Sequence, residues 1–529
     1  MFEDTTQESS MNVTVNVGVQ LPGKLDGKLD GKLDGKLDAK CGRHHGLPPQ
    51  QRQHRCLRLP VAVRTDHLPC LLIHLCILLP FTLPLHARPA SVTAKRAMVV
   101  SAHPVATDVG VRILRSGGNA ADAAVAVHFA LAVVYPNAGN LGGGGFFLWR
   151  SADGSAMACD FRETAPLRAR RDMFLDSAGN PITKASLEGH RASGVPGSVA
   201  GLWAVHRRLG RLDWHACLHP AIGLAEKGFR VTARQATELN RYRDAFTTWN
   251  GDACAFVSRR PWRAGMVLRQ TELARTLLRI RDRGPDGFYA GETAALLVKE
   301  MERGGGLITA QDLAGYQPVW RPLVRGNFRG HSVLTMPPPS SGGVALLQLL
   351  TMWEQQTKAS IPSFHSADHV HLMAECERRV YADRAEYLGD PDFVRIPVTS
   401  LTDTAYCRRR LAAYSALRAT PSSEVKAGDP GTREEHEQTT HFSIVDSEGN
   451  AVAQTTTLND SYGSKVVVRG AGFLLNNEMD DFSIKPGVPN MYGLIGSDAN
   501  AIAPGKRMLS SMTPTIVEKD GRLRLVVGT

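Results

Sequence analysis

Aromatic residues are scarce in this chain: Phe, Trp and Tyr make up 6% of its 529 residues. The formal charge is +11, yet no Lys/Arg block lies beside aromatic residues as a base-stacking surface requires. The basic balance therefore does not point to nucleic acid. Nine cysteines are present without one C-x-x-C spacing, which argues against zinc ribbons and redox pairs. Four of them (Cys41, Cys56, Cys70, Cys76) fall near the N-terminus. The others (Cys159, Cys217, Cys254, Cys376, Cys407) are far apart and read as reduced or buried thiols. No H-E-x-x-H occurs; His371 and Glu375 stand at i, i+4 without a third ligand and read as a solvated helix face. The glycine run Gly142 to Gly145 is not followed by Lys-Ser/Thr and precedes a strand, not a helix. That order disfavours a phosphate loop and leaves close backbone packing near a pocket. No metal and no cofactor is expected.

What is present is globular: 43% hydrophobic and 21% charged residues, with 50 glycines and 30 prolines for tight turns. The first ninety residues are different. Gly23 to Asp38 repeats GKLD four times, too poor in apolar surface to offset ordering entropy, and is expected to be disordered. From Val63 to Val92, Arg64 precedes an apolar stretch, Leu68 to Leu85, broken by His74, Pro80 and Pro84; small residues follow from Ala87 to Ser91. This is shaped like a secretory signal and is too interrupted to span a bilayer. A signal belongs at a chain start, so translation is expected to begin near Val63. Residues 1–62 then form a misassigned extension and residues 63–90 the signal-like segment. The product is expected to be periplasmic or secreted.

From Met98 the text becomes orderly. A short apolar strand is followed by a helix that stops at Gly117-Gly118. Asn119 caps a second helix, Ala120 to Val134, apolar nearly all round and hence buried. Phe146 to Arg150 reads as a strand, and Ser193 to Trp203 as a turn feeding a helix. Thr335 to Leu350 opens with a polyproline turn and continues as an apolar helix. Ser366 caps a long amphipathic helix reaching Leu388.

The stretch REEHEQTTHFSIVDSEGNAVAQTTTLNDSYGS, Arg433 to Ser464, carries the chemistry. Two strands, His441 to Val445 and Ala451 to Thr457, flank an Asp-Ser-Glu-Gly-Asn turn. Two adjacent threonines after a polar, charged run suit a threonine released as a new N-terminus, whose own amine is the base for its hydroxyl. The antiparallel return brings Thr457 back toward Thr439. Downstream, GFLLNNEMDDF is expected to end a strand in the acidic residues Glu478, Asp480 and Asp481, and RMLSSMTPTIV offers the hydroxyl pair Ser510-Ser511 before another strand. Acids suit a substrate ammonium; hydroxyls with an arginine suit a carboxylate. Together they describe an amino-acid headgroup site.

At these residues the sequence resembles the gamma-glutamyltranspeptidases, the Thr-nucleophile branch of the N-terminal-nucleophile hydrolases. The resemblance runs from about Arg96 to Thr529, through SAHP, GGNAADAAVAV, GGGGF, DFRETAP, GVPGSVAGL, PPPSSGG, LLNNEMDDF and LSSMTPT in order. It implies an α+β fold, a four-layer αββα sandwich, made as a proenzyme that cuts itself between Gln438 and Thr439. The large-subunit region is then 91–438 and the small-subunit region 439–529, the two forming a heterodimer. By position, Thr439 is implied as nucleophile and Thr457 as support for its hydroxyl. Arg162, with Ser510 and Ser511, is implied at the substrate α-carboxylate, and Asn459, Glu478 and Asp481 at the α-amino group. Lys485 to Asn500 matches a lid carrying Tyr492. The implied donor is glutathione or another γ-glutamyl compound, the acceptor water, an amino acid or a dipeptide.

One departure accompanies these agreements. Family members continue the last strand as Gly-Ser/Thr-Pro-Gly-Gly, whose glycines supply oxyanion donors, whereas LRLVVGT reaches Gly528 and Thr529. A small-subunit region truncated there is expected to be inactive. The alternatives are a cephalosporin (glutaryl) acylase-like amidase and a non-catalytic, unprocessed remnant.

Overall fold

In the computed structural model, residues 13–15, 91–252, 254–428 and 440–529 are described. The GKLD repeat, the signal-like segment to residue 90, Gln438 and Thr439 lie outside the described residues. The chain divides into two compact units, Met1–Lys95 and Arg96–Thr529. Within the first, Val13–Val15 pairs antiparallel with Val92–Ala94.

The principal strands of the second unit, in chain order, are β1 (Met98–Val100), β2 (Gly144–Arg150), β3 (Ala156–Asp160), β4 (Val319–Arg321) and β5 (Val324–Phe328). Then come β6 (His331–Thr335), β7 (Thr440–Val445), β8 (Ala451–Thr457), β9 (Thr515–Lys519) and β10 (Arg522–Val527). They build a six-stranded sheet in the order β1-β7-β8-β2-β3-β4 and a four-stranded sheet in the order β10-β9-β6-β5. Every neighbouring pair is antiparallel.

Period-two alternation decides which side each strand residue faces. On β2, Phe146 and Leu148 pack with Leu334 and Ile516 of the other sheet. Phe147 and Trp149, between them in sequence, belong instead to the large core shared with the helices. On β6, Leu334 faces the first sheet, while Val333 packs with Leu347. The result is helices, sheet, sheet, helices: the four-layer αββα sandwich.

The helices beside the six-stranded sheet include α1 (Pro104–Arg115), α2 (Ala120–Val134), α3 (Ser198–Leu209), α4 (Trp214–Lys227) and α5 (Thr271–Arg283). All fifteen residues of α2 are buried, as its continuous apolar text requires. It opens on a capping box: the Asn119 side chain accepts from Asp122 N, and Asp122 Oδ2 accepts from Asn119 N at 2.9 Å. The β7–β8 turn is fastened to the same helix end. Asp446 Oδ1 accepts from Glu448 N and Asn450 N, each at 3.0 Å, and its Oδ2 accepts from Ala120 N at 3.0 Å. Gly449 supplies the φ of +93° that the turn needs.

Outside the four-stranded sheet lie α6 (Gly342–Gln356) and α7 (Ala367–Tyr387), the latter capped by Ser366 as expected. Two expectations are corrected here. Glu375 is not on a solvated face but fully buried. Burial raises its pKa, but hydrogen bonds from Thr420 and Arg379 outweigh that and hold it near 2. The approach to Glu478 is not a strand: Leu474 and Leu475 make isolated bridges, and Glu478–Asp481 is a 3-10 turn. There the Asn476 side chain replaces the ladder, donating to Gly142 O and Gly194 O and accepting from Gly194 N and Glu478 N. The five described cysteines are unpaired and buried.

Candidate active site

The site grows from the end of β3. Asp160, its last residue, is pinned by Arg321 Nε at 2.8 Å and accepts from Arg162 N at 2.9 Å. Tyr316 Oη donates to Arg162 O at 2.8 Å. With its backbone held at both ends, Arg162 sends its side chain into the interior, where it is fully buried. Nη1 lies 2.6 Å from Glu478 Oε2 and 3.6 Å from Glu163 Oε2, and Nη2 is paired with Asp481. Nε and Nη2 also donate to Met508 O and Leu509 O, both at 3.3 Å.

Three buried carboxyls thus share one guanidinium. Burial pushes the Glu163 carboxyl up to about 8, against the attraction of Arg162. Asp481 is raised too, again by burial first and in spite of Arg162. Fully ionised, the four groups sum to a charge of −2, and each carboxyl that takes a proton brings the sum up by one.

A raised carboxyl favours the folded state most strongly while protonated. The Glu163 contribution is complete below its unfolded value of 4.5 and is lost as pH rises through about 8. Across that window it steepens the fall of stability by up to about 1.4 kcal/mol per pH unit. Glu163→Gln is expected to flatten the urea-unfolding free energy between pH 5 and 8. An identical slope in variant and parent contradicts this assignment.

The glycine run builds the opposite wall by letting backbones touch. A Cβ on Gly143 would lie 2.2 Å from Thr457 O, and one on Gly144 2.5 Å from Glu163 Oε2. Thr457 ends β8 opposite Gly144, and its carbonyl accepts from Asn140 Nδ2 at 2.8 Å. Its Oγ1 accepts from Asn459 N at 2.7 Å. Asn459, at φ +74°, turns its amide to Asn477 O at 3.0 Å, immediately before Glu478.

The predicted residues therefore fall into linked groups. Arg162, Glu478 and Asp481 form one ion cluster; Thr457 and Asn459 share a hydrogen bond and reach that cluster through Asn477. Ser510 and Ser511 follow Leu509, whose carbonyl Arg162 engages. The Ser510 hydroxyl is fully buried and accepts from Met512 N at 3.2 Å, and Ser511 Oγ accepts from Arg384 Nη2 at 3.3 Å. Tyr492 lies on the loop tied to the acidic turn by Asp480, which accepts from Met491 N at 3.1 Å and Ser186 Oγ at 2.7 Å. Thr440, the first described residue of β7, is buried and pairs with Thr456.

Three participants were not read from the sequence: Glu163, Asn140 and Asn477. Glu163 carried a signal, an acid beside Arg162 in DFRETAP. The two asparagines carried none, because their amides act through tertiary contacts. His441 is neutral, burial holding it down to about 3, and its nitrogens face Thr455 Oγ1 at 2.8 Å and Ser443 Oγ at 3.0 Å. Among the described residues, Asp122, His206 and Cys217 bring donor atoms within 4.8 Å of one another. Asp122 there accepts backbone N–H groups of Asn119, Arg211 and Leu212, and His206 Nε2 is 2.9 Å from Leu212 O, so the group fastens α2 to the α3–α4 connection.

Two antiparallel sheets face to face between helical layers, with a threonine-headed hairpin inside the first sheet, define an N-terminal-nucleophile hydrolase. The chain belongs to the gamma-glutamyltranspeptidase family, whose model matches residues 106–529. It is 52% identical over 423 residues to the glutathione hydrolase proenzyme of Pseudomonas aeruginosa, covering 80% of this chain and 74% of that relative. The Helicobacter pylori gamma-glutamyltranspeptidase structure is 42% identical with a TM-score of 0.61, covering 62% of this chain and 95% of that one. A cephalosporin acylase from Bacillus halodurans superposes with a TM-score of 0.74 at 26% identity, covering 84% of this chain and 79% of that one.

Proposed function

We propose that the full-length protein is a proenzyme that cuts itself between Gln438 and Thr439. Thr439 then moves a γ-glutamyl group from glutathione, or a related γ-glutamyl compound, to water or to the amine of an amino acid or dipeptide. The observation that carries this reading is the buried Arg162 cluster beside the hairpin threonines. A γ-glutamyl head offers one carboxylate and one ammonium. The planar guanidinium fork suits the carboxylate, and the carboxyl groups of Glu478 and Asp481 suit the ammonium.

The chemistry follows from the positions. The Thr439 hydroxyl attacks the γ-carbonyl carbon while its own amine takes the proton. The C–N bond breaks, the proton passes to the departing amine, and an ester remains on Thr439. Water or an acceptor amine attacks that ester, and the hydroxyl of Thr439 is restored. The low basicity of His441, whose nitrogens already face the Thr455 and Ser443 hydroxyls, supports assigning the base to the amine. Thr457 Oγ1 already accepts from Asn459 N, which leaves its proton to donate to the nucleophile. The cut leaves two pieces in one sheet, since β7 and β8 lie between β1 and β2; this supports a heterodimer. The charged, then apolar text from Val63 supports export.

The test uses two anilides that differ only in the α-ammonium, γ-glutamyl and glutaryl. A charge-assisted contact to that ammonium contributes about 1.5–3 kcal/mol, so the γ-glutamyl compound is expected to lead by about 10- to 150-fold in kcat/KM. Asp481→Asn is expected to collapse the ratio toward unity. Comparable turnover of both anilides by the full-length parent protein favours the acylase reading instead.

A further inference from the structure

Beyond the site, α7 carries a second arrangement that the reaction does not use. His371, Glu375, Arg379 and Asp383 recur every four residues and so share one side of the helix over about 18 Å. Each meets the chain that follows α7. His371 Nε2 lies 2.8 Å from Ser415 O. Glu375 Oε1 accepts from Thr420 N at 2.8 Å, and its Oε2 accepts from Thr420 Oγ1 at 2.7 Å. Arg379 donates to Arg410 O at 2.8 Å, and Arg410 Nη1 donates to Lys426 O at 3.1 Å. Asp383 Oδ1 accepts from Gly428 N at 3.2 Å. Three of the four contacts advance in the same order on helix and segment, 371 with 415, 375 with 420 and 383 with 428, while Arg379 reaches back to Arg410.

Apolar burial does not explain how this segment is held. Between Ser415 and Gly428 only Val425 is buried, and Leu417 is 99% exposed. Glu375 and Asp383 are themselves fully buried. Buried carboxylates accepting backbone N–H groups are strong, charge-assisted anchors. The last anchored residue, Gly428, is followed by ten residues of sequence, Asp429 to Gln438, before the proposed scissile bond.

We infer that this polar stripe of α7 is a rail that holds the chain just upstream of the cut, and that Glu375 and Asp383 are positioning residues for self-cleavage. The inference rests on the self-cleavage reading above. Its physical content is a tether. With Gly428 held, about ten residues link the rail to the bond; with Glu375, Asp383 and Arg410 all replaced, the contacts at Thr420, Gly428 and Lys426 go and the rail contact left is Ser415 on His371, about 23 residues away. Loop-closure entropy growing as (3/2)RT ln n makes productive approach about fourfold rarer for that change. Loss of orientation at the bond adds to this.

The experiment follows the two bands of the freshly synthesised full chain on denaturing gels. The triple variant Glu375→Gln/Asp383→Asn/Arg410→Met is expected to slow cleavage about three- to tenfold, while Glu375→Gln alone, which leaves Gly428 on Asp383, is expected to stay within about twofold of the parent. The KM of the cleaved fraction for a γ-glutamyl anilide is expected to be unchanged, which a general loss of structure does not predict. Leu372→Ala, on the buried apolar side of α7, serves as a control that lowers Tm without touching the rail. A cleavage rate within about twofold of the parent for the triple variant, or equal slowing in Leu372→Ala, overturns the rail. N-terminal sequencing of the smaller band tests the underlying reading separately: a parent chain not cut before Thr439 overturns self-cleavage at that bond. Hydrogen exchange of the Thr420 and Gly428 amides reads the rail in either case, and unprotected amides in the parent chain overturn it even where cleavage proceeds.

Discussion

Replacing Thr439 by alanine is expected to leave a single uncut chain and to lower γ-glutamyl transfer by about four orders of magnitude or more. The effect is this large because one hydroxyl is assigned two jobs. It attacks the peptide carbonyl before it, and once its amine is free it attacks the donor amide. Alanine removes the nucleophile from both steps and leaves no substitute at the same Cα. The neighbouring Thr440 is a poor stand-in, being buried and committed to the β7 ladder opposite Thr456. Thr439→Ser keeps the hydroxyl and is expected to be cut, more slowly. Two bands from the alanine variant, with the smaller beginning at residue 439 or 440, rule Thr439 out as the group that cuts.

The second large effect is expected at Arg162. Its guanidinium is the shared cation of Glu163, Glu478 and Asp481. Arg162→Met keeps much of the volume but strands those carboxyls without their counter-charge. Breaking a buried ion cluster from one side costs about 3–5 kcal/mol. The sign of the pH dependence follows from the same residues. Burial already raises Glu163 and Asp481, with Arg162 the chief opposing influence on both. Without Arg162 they rise further, so the folded variant gains more from protonation than the parent does. The deficit is therefore expected to shrink toward pH 5 and widen toward pH 8, as urea unfolding at the two values will show. Arg162→Lys separates binding from folding: it retains a charge but loses the fork. It is expected to raise the donor KM about tenfold or more while self-cleavage proceeds. An unchanged KM in the lysine variant moves the carboxylate subsite elsewhere.

Much of this was legible from local text. Continuous apolar residues after Asn119 made α2 a capped, wholly buried helix, and alternation around Asp446–Asn450 made β7 and β8 a hairpin. Both are local signals, carried by periodicity and turn chemistry over a few residues. The glycine run likewise marked close packing, which Gly143 and Gly144 bear out against Thr457 and Glu163. The acidic turn was misread as a strand end because its geometry depends on Asn476 reaching Gly142 and Gly194, far away in sequence. Glu375 was misread as solvated because amphipathic spacing cannot reveal that a later segment, ending at Gly428, will cover that side of the helix.

The sequence alone determined the order of the motifs, the hairpin headed by threonines and the residue types fit for a zwitterionic head. Only the tertiary structure decided that Arg162, Glu163, Glu478 and Asp481 meet in one buried cluster, drawn from the end of β3 and a turn more than three hundred residues later. The physical reason is that charge type is written residue by residue. Desolvation, which raises Glu163 and sets the charge of the cluster, exists only once distant segments have closed over it.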